Sequence, residues 1–212
     1  DQTQIGWARV RSASPIGGSL IYSYSVGGTV LGEAGLDPSV PAENFRLSVD
    51  MQNDYLAGLA VANPNARPVS LSLTLYDSGG NSLAWSNRNL GALEHFAQLP
   101  AEIFPSYNFY NFTGSIAVRA PENVLIGTTL RFDAGVNVLA SIPVIDSTTN
   151  PEPEILNFPQ IADGGGYSTT FCLVNPNDRA IAAQLNFYRQ DGTPLTMALY
   201  GRPAAGSHSI AL

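Results

Sequence analysis

The sequence has 212 residues, a net charge of −7, ten arginines and no lysine. The arginines are scattered singly, so no basic patch can track phosphates and nucleic acid is not expected as a partner. No apolar run approaches the roughly 18 residues that a membrane-spanning helix needs, so no membrane span is expected. The opening residues, DQTQIGWARV, show neither an initiator methionine nor a signal-peptide pattern, which predicts a processed product or a segment of a longer protein.

The first forty residues read as short strands separated by turns. Residues 6–12, 19–26 and 29–34 are rich in β-forming side chains, and Gly27-Gly28 supplies a tight turn between the last two. Residues 36–41, with two prolines, read as a linker.

The next part of the chain alternates strictly between apolar and polar residues. Val69, Leu71, Leu73 and Leu75 are separated by Ser or Thr, which predicts a half-buried strand. Residues 77–80, DSGG, then predict a hairpin turn. Further on, the apolar spacing between residues 93 and 105 predicts one or two turns of helix, the only helical signal in the sequence.

Residues 59–83 recur at residues 171–195, 112 positions later and without a gap. Eight of the 25 paired positions are identical, turn residues included. They are Asn63/Asn175, Pro64/Pro176, Asn65/Asn177, Arg67/Arg179, Leu73/Leu185, Tyr76/Tyr188, Gly80/Gly192 and Leu83/Leu195. A period near 110 residues is too long for a solenoid repeat and fits one small β domain, so the pattern predicts a duplication.

A second, weaker repeat links the N-terminal strands to residues 114–143. Its identities include Gly6/Gly114, Val10/Val118 and Arg11/Arg119, each 108 positions apart. Residues 135–137 then correspond to the Gly27-Gly28 turn. We name segments like 44–100 type A and segments like 114–143 type B, so that the chain reads B, A, B, A.

Types A and B together supply about seven strands in about 100 residues, as in an immunoglobulin-like sandwich. The predicted fold class is therefore all-β, with two such domains. Residues 44–145 form a complete domain and residues 146–153 a linker. Residues 1–40 are the C-terminal half of a sandwich and residues 154–212 the N-terminal half. Half a sandwich leaves an open apolar face and is not expected to be stable alone.

The half-domains can be completed in two ways. Residues 1–40 can pair with residues 154–212 of the same chain, or with those of the next molecule, which extends into a filament. A third interpretation is that the chain is one repeat of a continuous array. For the filament, the predicted assembly interface combines Ile5, Trp7 and Val10 with Phe171, Leu173 and Leu185.

Four stretches carry a resemblance to a known family. They are Gly6-Trp7-Ala8-Arg9-Val10, residues 33–36 (EAGL), the segment around Asn63-Pro64, and residues 160–166 (QIADGGG). On them the chain resembles the tandem immunoglobulin-like modules of large secreted bacterial surface proteins. The resemblance implies a structural, extracellular or cell-surface protein with no catalytic signature. Type A usually precedes type B in such proteins, whereas this chain opens on B. The architecture is also similar to pilus and fibre subunits that share strands.

The sequence offers few candidates for chemistry. The two histidines, His95 and His208, belong to no HxH or HExxH pattern, so no zinc site is expected. Cys172 lies in an apolar run and reads as a small buried hydrophobe. Residues 164–166, GGG, lack the GKS or GKT of a phosphate loop, and the turn aspartates lack the spacing of a calcium loop. No enzyme activity, cofactor or metal is predicted.

An aromatic cluster follows the helical segment. Tyr107, Phe109 and Tyr110 form a candidate platform for stacking on surface glycans, or part of an assembly interface. Asn111 begins the sequon Asn111-Phe112-Thr113 and is a candidate glycosylation site. The leading hypothesis is a structural subunit of an extracellular filament, a homopolymer built by strand complementation. The alternative is a monomeric two-domain adhesin or carbohydrate-binding module.

Overall fold

The computed structural model describes residues 3–135, 139–147, 155–177, 179–199 and 201–212. Among the described residues, 49% lie in strands and 2% in helix, which confirms the all-β class. The chain divides into two compact units, Asp1–Pro153 and Glu154–Leu212. The predicted linker, residues 146–153, lies outside the described residues except for Asp146 and Ser147, and the predicted turn at 135–137 is described only at Gly135.

Strands are the main regular secondary structure of the first unit. In chain order they are β1 (Leu20–Val26), β2 (Thr29–Leu36), β3 (Asn44–Asp50), β4 (Tyr55–Ala62), β5 (Val69–Asp77), β6 (Ser82–Leu90), β7 (His95–Gln98), β8 (Thr113–Arg119), β9 (Ile126–Asp133), β10 (Leu139–Pro143) and β11 (Ile145–Asp146). The short helix α1 (Pro100–Ile103) lies between β7 and β8.

Two antiparallel sheets enclose the core of the first unit, which gives it a sandwich-like character. One has the order β10-β9-β4-β7 and the other β11-β3-β8-β5-β6. The alternation predicted for β5 is observed, because Leu71, Leu73 and Leu75 are buried while Ser70 is exposed. Leu73 packs in one core with Leu59 of the facing sheet. Each fully buried side chain of this size contributes about 2 kcal/mol through removal of apolar surface from water.

The N-terminal strands β1 and β2 form a hairpin of their own. Gly27 and Gly28 close it with φ angles of 57° and 82°, a region that favours glycine. The hydroxyl of Ser141 in β10 donates to the carbonyl of Gly35 in β2, so β2 lies alongside β10. All seven residues of β1 are exposed.

The helical prediction is only partly met. Its first half forms β7, which pairs with β4 and buries Phe96 in the core. The helix begins at Pro100, whose fixed φ suits the first turn of a helix. Tertiary pairing therefore overrides the helical spacing before the proline.

The second unit contains β12 (Ala182–Asn186), β13 (Met197–Leu199), β14 (Arg202–Ala205) and β15 (Ser207–Ala211). They form two antiparallel pairs, β12 with β15 and β13 with β14. Residues 6–12, which were predicted as a strand, and residues 171–174, the apolar run around Cys172, have no ladder partner among the described residues. A single extended segment is not stable as a strand until it pairs.

The predicted hairpin turn after β5 is observed, and it affects a carboxylate. Asp77 Oδ1 accepts hydrogen bonds from the backbone nitrogens of Gly79 (2.9 Å) and Asn81 (2.8 Å), and Oδ2 accepts one from Asn81 Nδ2 (2.9 Å). These donors favour the charged form, so they hold the pKa of Asp77 below its ordinary value, with the Asn81 side chain as the largest cause.

We expect Asn81→Ala to raise the pKa of Asp77 towards the ordinary aspartate value of about 3.9. The pKa of Asp77 is lower in the folded than in the unfolded protein, so these hydrogen bonds stabilise the fold fully at pH values above the ordinary aspartate pKa. Their contribution to stability is lost as the pH falls through the lowered pKa of the folded protein. An NMR titration of the Asp77 carboxyl in parent and variant measures the shift. Asp191 is the internal control, because Thr193 lowers its pKa independently. An unchanged Asp77 pKa in the variant would contradict this assignment.

Candidate assembly surfaces

The repeated Asn-Pro-Asn turn has the same hydrogen bonds in both units. In the first unit Asn63 Nδ2 donates to the carbonyl of Arg67 (2.8 Å), and Asn63 Oδ1 accepts from the backbone nitrogen of Asn65 (2.9 Å). In the second unit Asn175 Nδ2 donates to the carbonyl of Arg179 (2.7 Å), and Asn175 Oδ1 accepts from the nitrogen of Asn177 (2.9 Å). The two type A segments therefore share local structure as well as sequence.

The same asparagine also ties the turn to the end of a neighbouring strand in each unit. Asn63 Nδ2 lies 3.3 Å from the carbonyl oxygen of Leu90, and Asn175 Nδ2 lies 3.2 Å from that of Leu212. The sequence pattern predicted that Asn63 and Asn175 lie in turns. It did not reveal that Asn63 would be fully buried, at 0% exposure, as the anchor of the turn.

In the first unit two type B strands, β8 and β9, are interior strands of the sheets, and the third, β10, is an edge strand. β8 lies between β3 and β5 in one sheet, and β9 lies between β4 and β10 in the other. The Asn-Pro-Asn turn also contacts this segment, because Asn65 Nδ2 donates to the carbonyl of Val124 (2.8 Å). A type A segment without type B would therefore lose β8 from between β3 and β5 in one sheet, and the β9–β10 pair that covers β4 in the other.

The second unit is a type A segment, and its apolar residues are correspondingly less covered. Phe171, Leu173 and Leu185 are half-buried. Their counterparts in the first unit, Leu59, Val61 and Leu73, are 1%, 1% and 0% exposed. Within the described part of the second unit, only Phe187 and His208 are buried. The three residues predicted for one half of the assembly interface are thus those whose counterparts form the core of the first unit.

The other half of the predicted interface lies in the N-terminal segment. Ile5 and Val10 are 63% and 78% exposed. Trp7 is half-buried, and its Nε1 donates to the carbonyl of Leu93 (2.8 Å). Arg9, which the sequence did not single out, donates to the carbonyl of Pro64 and lies over the Trp7 ring at 5.1 Å. Trp7 and Arg9 therefore hold this segment to the Asn-Pro-Asn end of the first sandwich.

The aromatic residues of the candidate glycan platform have different surroundings. Tyr107 and Phe109 pack edge-to-face with ring centroids 5.1 Å apart, and both pack in the same way on Phe112. Phe109 is buried at 6% exposure, whereas Tyr110 is 76% exposed. A flat stacking surface would thus be limited to Tyr110 and the exposed part of Tyr107, and glycan binding stays a prediction.

Asn111 lies on an exposed turn between Phe109 and Phe112, with a φ of 50°. The turn is closed by a hydrogen bond from the Phe112 nitrogen to the Phe109 carbonyl (3.2 Å). The side chain is accessible at the surface, as a glycosylated asparagine must be. Modification of Asn111 stays a prediction.

The groups considered for chemistry are dispersed. His208 is buried, and its Nε2 lies 2.9 Å from the carbonyl oxygen of Met197, so this nitrogen is the donor. His95 is half-buried in β7. In the described residues no three His, Cys, Asp or Glu side chains group in a way that could hold a metal ion. Cys172 is exposed rather than buried, which corrects the expectation of a core thiol.

No family model, curated protein or solved structure matches this chain. Across the described residues, no helix has the length and apolar character required to cross a membrane. The repeated segments of the chain can still be compared with each other.

Proposed function

We propose that the protein is a structural subunit of an extracellular filament or surface fibre, in which the N-terminal type B segment of one molecule completes the C-terminal type A segment of the next. One observation carries the proposal: the type B strands β8 and β9 are interior strands of the first sandwich, whereas the second unit contains type A alone. The contact is head-to-tail and does not close on itself, so it extends along one direction.

The energetics favour completion. An open sheet edge with apolar side chains is a template for pairing with another chain. β1 presents such an edge, with Leu20, Ile21 and Tyr22 at 48%, 70% and 47% exposure. The chain has no lysine, which is a common means of blocking edges. Burial of these residues and of Phe171 and Leu173 would remove apolar surface from water on both partners.

The strand pairing supports the proposal of immunoglobulin-like modules, with one difference from the pairing in an immunoglobulin domain. In an immunoglobulin domain strands B and E share one sheet, and strands C and F share the other. β4 with β7 and β5 with β8 have these pairings. β3, the first strand of the sandwich, pairs with β8, and β9, which follows β8, pairs with β4. Relative to an immunoglobulin domain, β3 and β9 are therefore exchanged between the two sheets. This exchange lets one type B segment join both sheets.

The state of assembly of the purified chain tests the proposed function. We expect electron microscopy to show filaments whose axial repeat fits one chain, and sedimentation velocity to show a distribution that grows with protein concentration. A truncated chain that starts at residue 41 is the control, since it lacks the N-terminal type B segment and should not polymerise. A parent chain that sediments as a compact monomer at high concentration would overturn the proposal. Binding to glycans through Tyr107 and Tyr110 would then be the function to examine.

A further inference from the structure

The first sandwich provides a template for how a type B segment pairs with a type A segment. In β4 and β9, Ala60 faces Thr128. In β5 and β8, Leu73 faces Val118. Each of these residues has a counterpart in the other copy of its repeat. In type A, 112 positions apart, Cys172 corresponds to Ala60 and Leu185 to Leu73. In type B, 108 positions apart, Leu20 corresponds to Thr128 and Val10 to Val118.

We propose that the filament contact repeats this register between two copies of the chain, an inference that rests on the proposed function. β1 of one molecule pairs antiparallel with residues 167–174 of the next, so that Leu20 faces Cys172. Residues 6–11 pair antiparallel with β12, so that Val10 faces Leu185. The partner is thus a second copy of this chain, and its place is specified residue by residue.

The exposure of side chains agrees with this register. Val10 is 78% exposed and its counterpart Val118 is 1% exposed. On β1, Ile21 is 70% exposed and its counterpart Thr129 is 1% exposed. A shift by one residue would turn these side chains to the opposite face of the sheet. The proposed register places Val10 opposite Leu185, which is only half-buried in the second unit.

The contacts that already hold the N-terminal segment are compatible with this pairing. Once residues 6–11 are paired as a strand, their side chains alternate, so Trp7 and Arg9 lie on the face opposite to Val10. Both can keep their bonds to Leu93 and Pro64 of their own molecule while Val10 enters the next one. The template adds one more contact: Asn65 Nδ2 donates to the carbonyl of Val124, whose counterparts are Asn177 and Ile16. Asn177 of one chain should therefore donate to Ile16 of its neighbour.

A disulfide cross-link tests the register, since Cys172 is the only cysteine and is exposed. Residues directly opposite in an antiparallel pair have Cα atoms about 4.5–5.5 Å apart, within the range of a disulfide. Leu20→Cys should give a ladder of disulfide-linked oligomers on a non-reducing gel after mild oxidation. Ile21→Cys is the matched control, because its side chain lies on the other face of the same strand. We expect about tenfold less cross-linked dimer from this variant.

The possible results distinguish an error in the proposed pairing register from an error in the proposed filament function. Filaments without a Leu20→Cys ladder, or with an equal ladder from Ile21→Cys, would overturn the register and leave the filament intact. A disulfide within one monomer would show that the chain closes on itself, and absence of both filaments and cross-links would remove the proposed function. If Leu20→Cys impairs assembly under reducing conditions, the pair Val10→Cys and Leu185→Cys in a Cys172→Ser background provides the same test at the second strand.

Discussion

Replacement of Asn63 by alanine is expected to lower the free energy of unfolding of the first unit by about 3 kcal/mol. The side chain is 0% exposed, and its Nδ2 lies within hydrogen-bond distance of the carbonyls of Arg67, Leu90 and Gly91. Its Oδ1 accepts from both nitrogens of Asn65. Removal of the amide leaves buried donors and acceptors without partners, and each such group costs about 1–3 kcal/mol.

Tryptophan fluorescence during urea unfolding measures this effect, because Trp7 and Trp85 both lie in the first unit. Asn175→Ala is the matched control, since it removes the equivalent amide from the second unit and should leave the tryptophan-reported transition of an unassembled chain unchanged. An Asn63→Ala transition within about 0.5 kcal/mol of the parent would show that the turn is held by other contacts.

Gly114→Ala should destabilise the first unit by about 3 kcal/mol, at the upper end of the range for overpacking. A Cβ atom at Gly114 would lie 2.1 Å from the carbonyl oxygen of Tyr76 and 2.7 Å from Cζ of Phe112. The carbonyl belongs to β5, which pairs with β8, so relief of the clash requires two central strands to separate. The same fluorescence measurement should show a transition at lower urea concentration.

Gly6→Ala is the control for this prediction and also informs on assembly. Gly6 is the repeat counterpart of Gly114, yet a Cβ atom there meets nothing within 4 Å. Unfolding of the unassembled chain should change by less than about 0.5 kcal/mol. In the proposed filament Gly6 takes the place of Gly114 beside Tyr188, the counterpart of Tyr76, so assembly should be impaired. Equal unfolding transitions for the two variants would contradict the close approach at Gly114.

The sequence predicted the elements whose signal is local. Alternation of Leu71, Leu73 and Leu75 with polar residues identified β5, because a period of two places one face in the core. The hairpin turn at Gly80 was predicted, and its φ of 81° is one that glycine adopts without strain. The repeat was visible because both copies of the Asn-Pro-Asn turn need the same side chains for the same hydrogen bonds.

Other features depended on long-range pairing, which the sequence pattern does not encode locally. The helical spacing before Pro100 gave way to β7, because pairing with β4 buries Phe96. Residues 171–174 have a strand-like composition but form no strand in the structure, since a strand requires a partner. Cys172 was predicted to be buried and is exposed.

By itself, the sequence determined that this protein is a β protein in which the type A segment at residues 59–83 recurs at residues 171–195. Those properties follow from side-chain periodicity and turn chemistry, which act over a few residues. Only the tertiary structure decided that β8 is an interior strand of one sheet and β9 an interior strand of the other, because β8 pairs with β3, and β9 with β4, across more than 50 residues. In the second unit, Phe171, Leu173 and Leu185 are only half-buried.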